Sequence, residues 1–143
     1  MKIRKAKKED LKEISEIFRI ESNKKPYLQG WTKKMAFNNI YQSFKKDKIY
    51  VAFVNEKVVG FIIISLNEKK DIYVDELWIK QKCQKKGIGK FLMKFIEEKY
   101  KEKGSKLIKL SADKKADAVK FYKKLNYKTE REYVRILMTK KLK

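Results

Sequence analysis

Residues 83–91 read CQKKGIGKF and hold two of the five glycines of the chain. The stretch follows an apolar strand pattern, DIYVDELWI (71–79), and leads into apolar residues at helical spacing, namely Ile88, Phe91, Leu92, Phe95 and Ile96. Glycines between a strand and a helix N-terminus let main-chain N–H groups approach an anion with no Cβ in the way. The stretch therefore predicts a phosphate-binding corner, with an ordinary tight turn as the alternative.

The segments on both sides of this corner predict a mixed sheet. The expected elements, in chain order, are strand 2–6, helix 8–21, a helix capped by Thr32, strands 48–54, 57–66 and 71–79, helix 87–103, strand 106–112, helix 116–125, and strands 127–133 and 134–142. Strands joined through helix 87–103 should run parallel, and the flanking hairpins should be antiparallel. The fold class is α/β (α+β): a mixed, mostly antiparallel sheet of about seven strands with helices on both faces.

Composition indicates one soluble domain that spans residues 1–143. Hydrophobic residues make up 43% of the 143 positions, and neither a linker nor a repeat interrupts them. One cysteine excludes an internal disulfide, and the absence of histidine disfavours a zinc site, so we expect no metal. We find neither a secretory signal nor an apolar run long enough to span a membrane, and we expect a cytoplasmic protein.

The net charge of +21 has two interpretations. It would drive binding to a nucleic-acid backbone by counterion release. Alternatively, lysine fills the solvent-facing positions of an ordinary domain. We favour the second interpretation, because the lysines are spread from end to end and the arginines, which suit phosphate and base recognition better, are only Arg4, Arg19, Arg131 and Arg135.

The corner fits neither of two common phosphate motifs. G-x-G-x-x-G fails because position 92 is leucine, and the P-loop fails because no Gly-Lys-Ser/Thr follows. QKKGIG (84–89) instead resembles the Q/R-x-x-G-x-G/A signature of the GNAT superfamily of N-acetyltransferases. The resemblance extends to VVGFIII (58–64), LWI (77–79) and AVKFYKKLNY (118–127), and it covers essentially the whole chain in the expected element order.

The resemblance implies an acetyl-CoA site. The pyrophosphate would be held at the corner by a set of consecutive residues: Gln84, Lys85, Lys86, Gly87, Ile88, Gly89 and Lys90. The pantetheine arm would pair with the backbone of Leu77, Trp78 and Ile79 as an added strand. The family usually has a bulge there, whose N–H polarises the thioester carbonyl. Tyr122 matches the tyrosine that contacts the cofactor and protonates the leaving thiolate.

Two positions depart from the family pattern. The asparagine that many members carry before the last helix is Lys115 here, so a contact to the pantetheine region is in doubt. The usual Gly-Phe after that helix is Asn126-Tyr127. Asparagine tolerates the left-handed conformation that a helix stop requires, so the fold should survive this change.

An amine attacks a thioester only when it is neutral, which calls for a base. Asp75 and Glu76 are adjacent carboxylates in an otherwise apolar strand, and alternation places them on opposite faces. We prefer Glu76, on the face of Trp78, for the acceptor side, directly or through a water. The alternative is that one or both lie at a solvated strand end.

The remaining candidates each have a packing alternative. Tyr122 shares its helix with Phe121 and Leu125, so it fits a core aromatic as well as a general acid. Tyr27 and Trp31 would bind the acceptor, or else clamp the two first helices together. Cys83 has no histidine to activate it, and we interpret it as inert.

We therefore predict an acetyl-CoA-dependent N-acetyltransferase that passes an acetyl group to a primary amine by direct attack in a ternary complex. The amine would lie on a protein N-terminus, a lysine or a small molecule, and the protein would be a monomer or a homodimer. The alternatives are a basic, non-catalytic RNA- or ribosome-associated module and a GNAT-like sensor of acyl-CoA.

Overall fold

The structure is a computed structural model that describes residues 1–46, 48–132 and 135–143. Its helices and strands are β1 (Lys2–Lys5), α1 (Leu11–Ser22), α2 (Lys33–Lys45), β2 (Ile49–Val54), β3 (Lys57–Leu66), β4 (Ile72–Ile79), α3 (Ile88–Glu102), β5 (Leu107–Asp113), α4 (Ala118–Lys124), β6 (Lys128–Glu132) and β7 (Arg135–Lys141). The strands form one sheet in the order β1-β2-β3-β4-β5-β7-β6. The predicted element order and the mixed, mostly antiparallel sheet of seven strands are confirmed.

Contacts within the described chain divide it into two compact units, residues 1–63 with 76–93 and residues 64–75 with 94–143. We call them unit 1 and unit 2. They interleave along the sequence, because the chain passes from the first to the second within β3 and again within α3. A single domain over 1–143 stays a prediction.

Unit 1 is built on an apolar cluster between the first two helices and the hairpin β2–β3. Helix α1 supplies Leu11, Ile14 and Phe18 at helical spacing, and α2 adds Ala36 and Ile40. Thr32 caps α2 as predicted, since its Oγ1 accepts the Met35 N–H at 3.1 Å. Of the other apolar residues of α2, Phe44 packs against the cluster, whereas Met35, Phe37 and Tyr41 are exposed.

The β2–β3 hairpin holds the end of β4 through its second strand. Asn55 and Glu56 have φ of 49° and 64°, and Lys57 pairs with Val54, so these two residues form the turn. Val58 to Ile64 are all buried, which means that both faces of β3 are covered. A Cβ on Gly60 would lie 2.6 Å from Cδ1 of Ile79 and 3.2 Å from the carbonyl oxygen of Trp78. Glycine therefore permits this close approach.

Unit 2 contains the last three strands, β5, β6 and β7. β5 pairs in parallel with β4, as predicted from the helix that joins them, over Ile72, Tyr73 and Val74 only. β7 runs antiparallel to β5 along its whole length and also pairs with β6. The last strand, β7, therefore lies between β5 and β6, a position that the sequence did not predict. Tyr133 and Val134, which the sequence places in this hairpin, lie outside the described residues.

Helix α4 ends in a closed, left-handed corner. Asn126 has φ of 70°, its N–H donates to the Lys123 carbonyl at 3.0 Å, and the Tyr127 N–H donates to the Tyr122 carbonyl at 3.0 Å. The expectation that asparagine would serve as the helix stop is confirmed by this geometry. Within the ranges described, no helix is both long and apolar enough to cross a membrane.

Candidate active site

The corner between β4 and α3 exposes main-chain donors. Gly87 has φ of 86°, and the first bond of the helix runs from the Phe91 N–H to the Gly87 carbonyl at 3.0 Å. The N–H groups of Ile88, Gly89 and Lys90 therefore have no acceptor inside α3. Gly87 occupies the capping position and has no side chain that could accept from them.

Charge and space at the corner favour an anion. Lys85, Lys86 and Lys90 are exposed around it, and Gly87 itself is exposed. A Cβ on Gly87 would meet nothing within 4 Å, so the space in front of the glycine is open. The positive end of the helix dipole adds about 0.3–1 kcal/mol of attraction for an anion at the first turn. The arrangement can bind a phosphate through backbone donors and mobile lysines.

The side chain of Gln84 holds the corner to its surroundings. Its Nε2 donates to Oε1 of Glu21 at 2.9 Å and to the carbonyl of Ile79 at 2.9 Å. Lys24 donates to Oε2 of Glu21 at 2.9 Å and to Oε1 of Gln81 at 2.6 Å. Both hydrogens of the Gln84 carboxamide are thus engaged within the protein. Its main-chain N–H also donates within the protein, to the Gln81 carbonyl at 3.2 Å, so Gln84 shapes the corner through its own hydrogen bonds.

The second half of β4 lies beyond the ladder with β5, which ends at Val74. Its other side is tied to β3, because the Lys80 N–H donates to the Val59 carbonyl at 2.8 Å. Leu77, Trp78 and Ile79 are all half-buried. A strand whose partner ladder stops short presents main-chain donors and acceptors to which an extended ligand can add.

The two adjacent carboxylates of β4 have different surroundings. Glu76 is half-buried, and its Oε1 accepts the indole N–H of Trp78 at 2.9 Å, which agrees with the predicted common face. Asp75 is exposed and accepts from the Ser65 hydroxyl at 3.3 Å. The solvated alternative thus fits Asp75, while Glu76 has the fixed carboxylate that proton transfer needs.

Aromatic side chains surround Trp78. The ring of Tyr27 lies edge-on to it with centroids 4.9 Å apart, and Phe18 approaches it at 6.4 Å. Trp31 packs on the other side of this group, with its ring 5.0 Å from that of Phe18. Asn23 holds Trp31 through both backbone groups, at 2.7 and 2.9 Å. Trp31 packs against the apolar cluster of the first two helices, whereas the ring of Tyr27 packs on Trp78. Both are half-buried, so part of each remains accessible. Their binding of an acceptor stays a prediction.

Tyr122 lies in unit 2, on α4. It is 7% exposed, and its ring packs edge-on against Phe121 at 5.0 Å and Tyr127 at 5.7 Å. Its carbonyl accepts both the Leu125 and Tyr127 N–H groups, each at 3.0 Å. The helix end thus fixes the backbone of the residue that the sequence marks as the general acid.

The hydroxyl of Tyr127 explains the departure from phenylalanine at this position. It donates to Oε2 of Glu97 at 2.8 Å, and Lys140 donates to Oε1 of the same carboxylate at 2.7 Å. Burial, with the adjacent Glu97 charge and the hydrogen bond to it, raises the pKa of the Tyr127 phenol far above its ordinary value. The phenol therefore remains a donor that satisfies a buried carboxylate.

Sequence reasoning missed the polar residues that hold the site, namely Glu21, Asn23, Lys24 and Gln81. A signal for the first was present. Glu21 follows Ile14, Ile17 and Phe18 at seven, four and three residues, so it lies on the apolar face of α1, and it is 8% exposed. A charged residue on a buried face needs partners. Its partners are distant in sequence, which is why no local pattern identified them.

Comparisons with known proteins agree with this geometry. The model of the acetyltransferase (GNAT) family matches residues 11–127. PaiA N-acetyltransferase from Thermoplasma acidophilum, solved with coenzyme A, is 26% identical, with a TM-score of 0.78 over 98% of each chain. Ard1 from Thermoplasma volcanium is 18% identical, with a TM-score of 0.83 over 99% of this chain and 97% of that one.

A third similar structure, an aminoglycoside 6'-N-acetyltransferase complexed with coenzyme A, is 15% identical, with a TM-score of 0.82 over 100% of this chain and 98% of that one. At such identities this structure and that of Ard1 show a shared fold alone. No curated protein matches the sequence significantly.

Proposed function

The chain belongs to the acetyltransferase (GNAT) family and is an acetyltransferase, and we propose that it transfers the acetyl group of acetyl-CoA to a primary amine by direct attack in a ternary complex. The observation that carries the proposal is the exposed corner at Gly87. Three N–H groups that lack a helical acceptor, an open glycine and three lysines converge there. This set suits the pyrophosphate of coenzyme A.

The pantetheine arm would follow β4 from the corner. The half-buried backbone of Leu77, Trp78 and Ile79 lies beyond the ladder with β5, so it can pair with an extended ligand. The PaiA structure is a complex with coenzyme A, and the match to its fold over nearly the whole chain supports coenzyme A as the ligand. A main-chain N–H of this segment would donate to the thioester carbonyl and stabilise the charge that develops on it.

Glu76 would accept the proton that the ammonium group of the acceptor must lose, directly or through a water. Its carboxylate is oriented by the indole N–H of Trp78, which donates to Oε1 at 2.9 Å. Tyr122 would give its phenolic proton to the departing thiolate, because a phenol with a reference pKa of about 10 is protonated at neutral pH. The N–C bond forms and the thioester C–S bond breaks. The nitrogen loses two protons, one to Glu76 before the attack and one as the tetrahedral intermediate collapses. The second proton restores, through solvent, the one that Tyr122 gives to the thiolate, so the net reaction releases one proton.

The acceptor is a primary amine on a protein N-terminus, a lysine or a small molecule. At pH 7 about one α-amine in ten is neutral, against about one lysine in a few thousand. A lysine or polyamine therefore depends more strongly on Glu76. Tyr27, whose ring lies against Trp78, and Trp31, whose ring lies against Phe18, would contact the acceptor.

The test has two stages. Coenzyme A should bind the purified protein in a calorimetric titration, and thiol release from acetyl-CoA should then rise with one class in a screen of peptides, lysine, polyamines, aminoglycosides and amino acids. Binding without any amine-dependent release would support the acyl-CoA sensor instead. RNA binding with steep salt dependence and no coenzyme A binding would support the nucleic-acid alternative.

A further inference from the structure

We infer that Glu21 is a positioning residue for the coenzyme A corner: it acts through Gln84 and Lys24 to hold the turn that presents the main-chain donors. The inference rests on the proposed function. Glu21 is 8% exposed in the last turn of α1, far in sequence from the corner. A buried carboxylate is costly unless donors satisfy it, and here the donors are side chains tied to the turn.

Gln84 is the direct link. Its carboxamide spans from Glu21 to the Ile79 carbonyl, at 2.9 Å on each side, so one side chain joins α1, the end of β4 and the start of the turn. The next residue, Lys85, has φ of 62°, and Gly87 has φ of 86°. A left-handed conformation is readily lost when the neighbouring chain relaxes. Two such residues within three positions therefore require the flanking chain to be held in place. Glu21 supplies that restraint.

Lys24 is the second link and also balances charge. It bridges Oε2 of Glu21 and Oε1 of Gln81, at 2.9 and 2.6 Å, so both ends of the segment 81–84 are attached to the end of α1. An unpaired carboxylate near a diphosphate would oppose binding. The ammonium group of Lys24 offsets this repulsion, while the Glu21 carboxylate still accepts the hydrogen bond that positions Gln84. The two contacts of Glu21 therefore have separable effects.

The substitution Glu21→Gln separates them. Its amide oxygen still accepts from Gln84, whereas its amide nitrogen no longer accepts from Lys24. We expect Glu21→Gln to bind coenzyme A within about twofold of wild type, and Glu21→Ala to bind about tenfold more weakly, which is the loss of one or two hydrogen bonds to a charged group. Once an amine substrate is known, Glu21→Ala should raise KM for acetyl-CoA and leave kcat unchanged.

The matched control is Glu16→Ala, an exposed acid on the same helix whose loss changes the net charge equally. It should retain wild-type affinity. Gln84→Ala should also weaken binding, and the double variant should lose less affinity than the sum of the two single losses, because both single variants remove the contact between Glu21 and Gln84. Thermal unfolding of each apo variant checks that it is folded.

The inference is overturned if folded Glu21→Ala binds coenzyme A with an affinity within twofold of that of Glu16→Ala. If Glu21→Ala does not fold, unchanged affinity of Gln84→Ala, an exposed position, overturns it instead. A wild-type protein that binds no coenzyme A would refute the proposed function and this inference together. Binding by wild type with no effect in any of these variants refutes the inference alone.

Discussion

Gly87 and Asn126 both adopt a left-handed backbone beside a helix end, with φ of 86° and 70°, yet one corner is open and the other closed. After α4, the Asn126 and Tyr127 N–H groups donate back to the helix carbonyls, and Tyr127 is 2% exposed. Before α3, the first N–H groups point away from the helix and glycine cannot cap them. A helix C-terminus can satisfy itself by turning back, whereas an uncapped N-terminus requires an external acceptor.

The two corners differ in their hydrogen bonds rather than in their φ angles. The same conformation stabilises the fold where its donors are satisfied, and where they are not it offers donors to a ligand, which is the role we propose for the Gly87 corner. Substitutions at the two corners should therefore change different quantities: coenzyme A affinity at the open corner, and the free energy of unfolding at the closed one. Tyr122, which accepts at the closed corner, should affect turnover.

The largest expected effect is on turnover in Tyr122→Phe. We expect kcat to fall about hundredfold, because the thiolate loses its proton donor. Coenzyme A affinity should stay nearly intact, since phenylalanine keeps the ring packing on Phe121 and Tyr127. Steady-state kinetics and calorimetry test this, with the exposed Tyr73→Phe as control. Unchanged turnover would remove Tyr122 from the acid role.

The next largest is the loss of binding in Gly87→Asp. We expect coenzyme A to bind about thirtyfold more weakly, because a negative charge at the first helical turn beside a diphosphate is disfavoured by about 2 kcal/mol. Gly104→Asp is the matched control, since Gly104 has φ of 96° and equally open space around its Cβ position. Both variants lose stability to backbone strain. Equal affinity of the two variants would contradict an anion site at Gly87.

Tyr127→Phe should lower the free energy of unfolding by about 1–3 kcal/mol while coenzyme A affinity is unchanged. The substitution removes one donor from the buried Glu97 carboxylate and leaves Lys140 as its donor within the described residues. Urea denaturation measures the loss. A destabilisation no larger than that of the exposed Tyr73→Phe would show that the buried bond adds nothing.

The same phenol gives a pH dependence with a defined sign. Its pKa is raised in the folded protein, mainly by burial. Its contribution to stability is therefore present below the unfolded-state pKa of about 10 and is lost as the pH rises above it. Between pH 9 and pH 11, taken as roughly one unit on each side of that value, Tyr127→Phe should lose less stability than wild type. If the free energy of unfolding falls equally with pH in wild type and in Tyr127→Phe, this linkage is refuted.

The smallest effect is expected at Asn126. Glycine reaches the left-handed region without a Cβ clash, but it makes the unfolded chain more flexible, so Asn126→Gly should change stability by less than about 1 kcal/mol. Asn126→Ala should cost about 1 kcal/mol, since alanine is disfavoured there. Denaturation midpoints of the three proteins measure the order. If Asn126→Ala is as stable as wild type, the variant must have left the left-handed conformation at this corner without cost.

Much of the fold could be predicted because its signals are local. Helical spacing of Leu11, Ile14 and Phe18, the Thr32 cap and the glycine corner depend on residues within a few positions of one another. The parallel pairing of β4 and β5 followed from the helix that joins them. The position of β7 between β5 and β6 did not follow, because nothing local distinguishes the inner strand of a hairpin from the outer one.

The candidate site divides in the same way. The residues predicted to touch coenzyme A form one continuous signature, which is why the sequence could propose Gln84 to Lys90 as a group. The shared face of Glu76 and Trp78 followed from strand alternation and is confirmed by their hydrogen bond. The link from Glu21 to Gln84 spans 63 positions, and that from Tyr127 to Glu97 spans 30. No periodicity connects residues so far apart.

The sequence by itself determined the element order, the corner and its charge, because propensity, periodicity and glycine geometry act over a few residues. Only the tertiary structure decided which buried polar groups meet: Glu21 with Gln84 and Lys24, and Glu97 with Tyr127 and Lys140. Such pairs form because burial removes water as a partner, and which donor then satisfies a carboxylate depends on how distant segments pack.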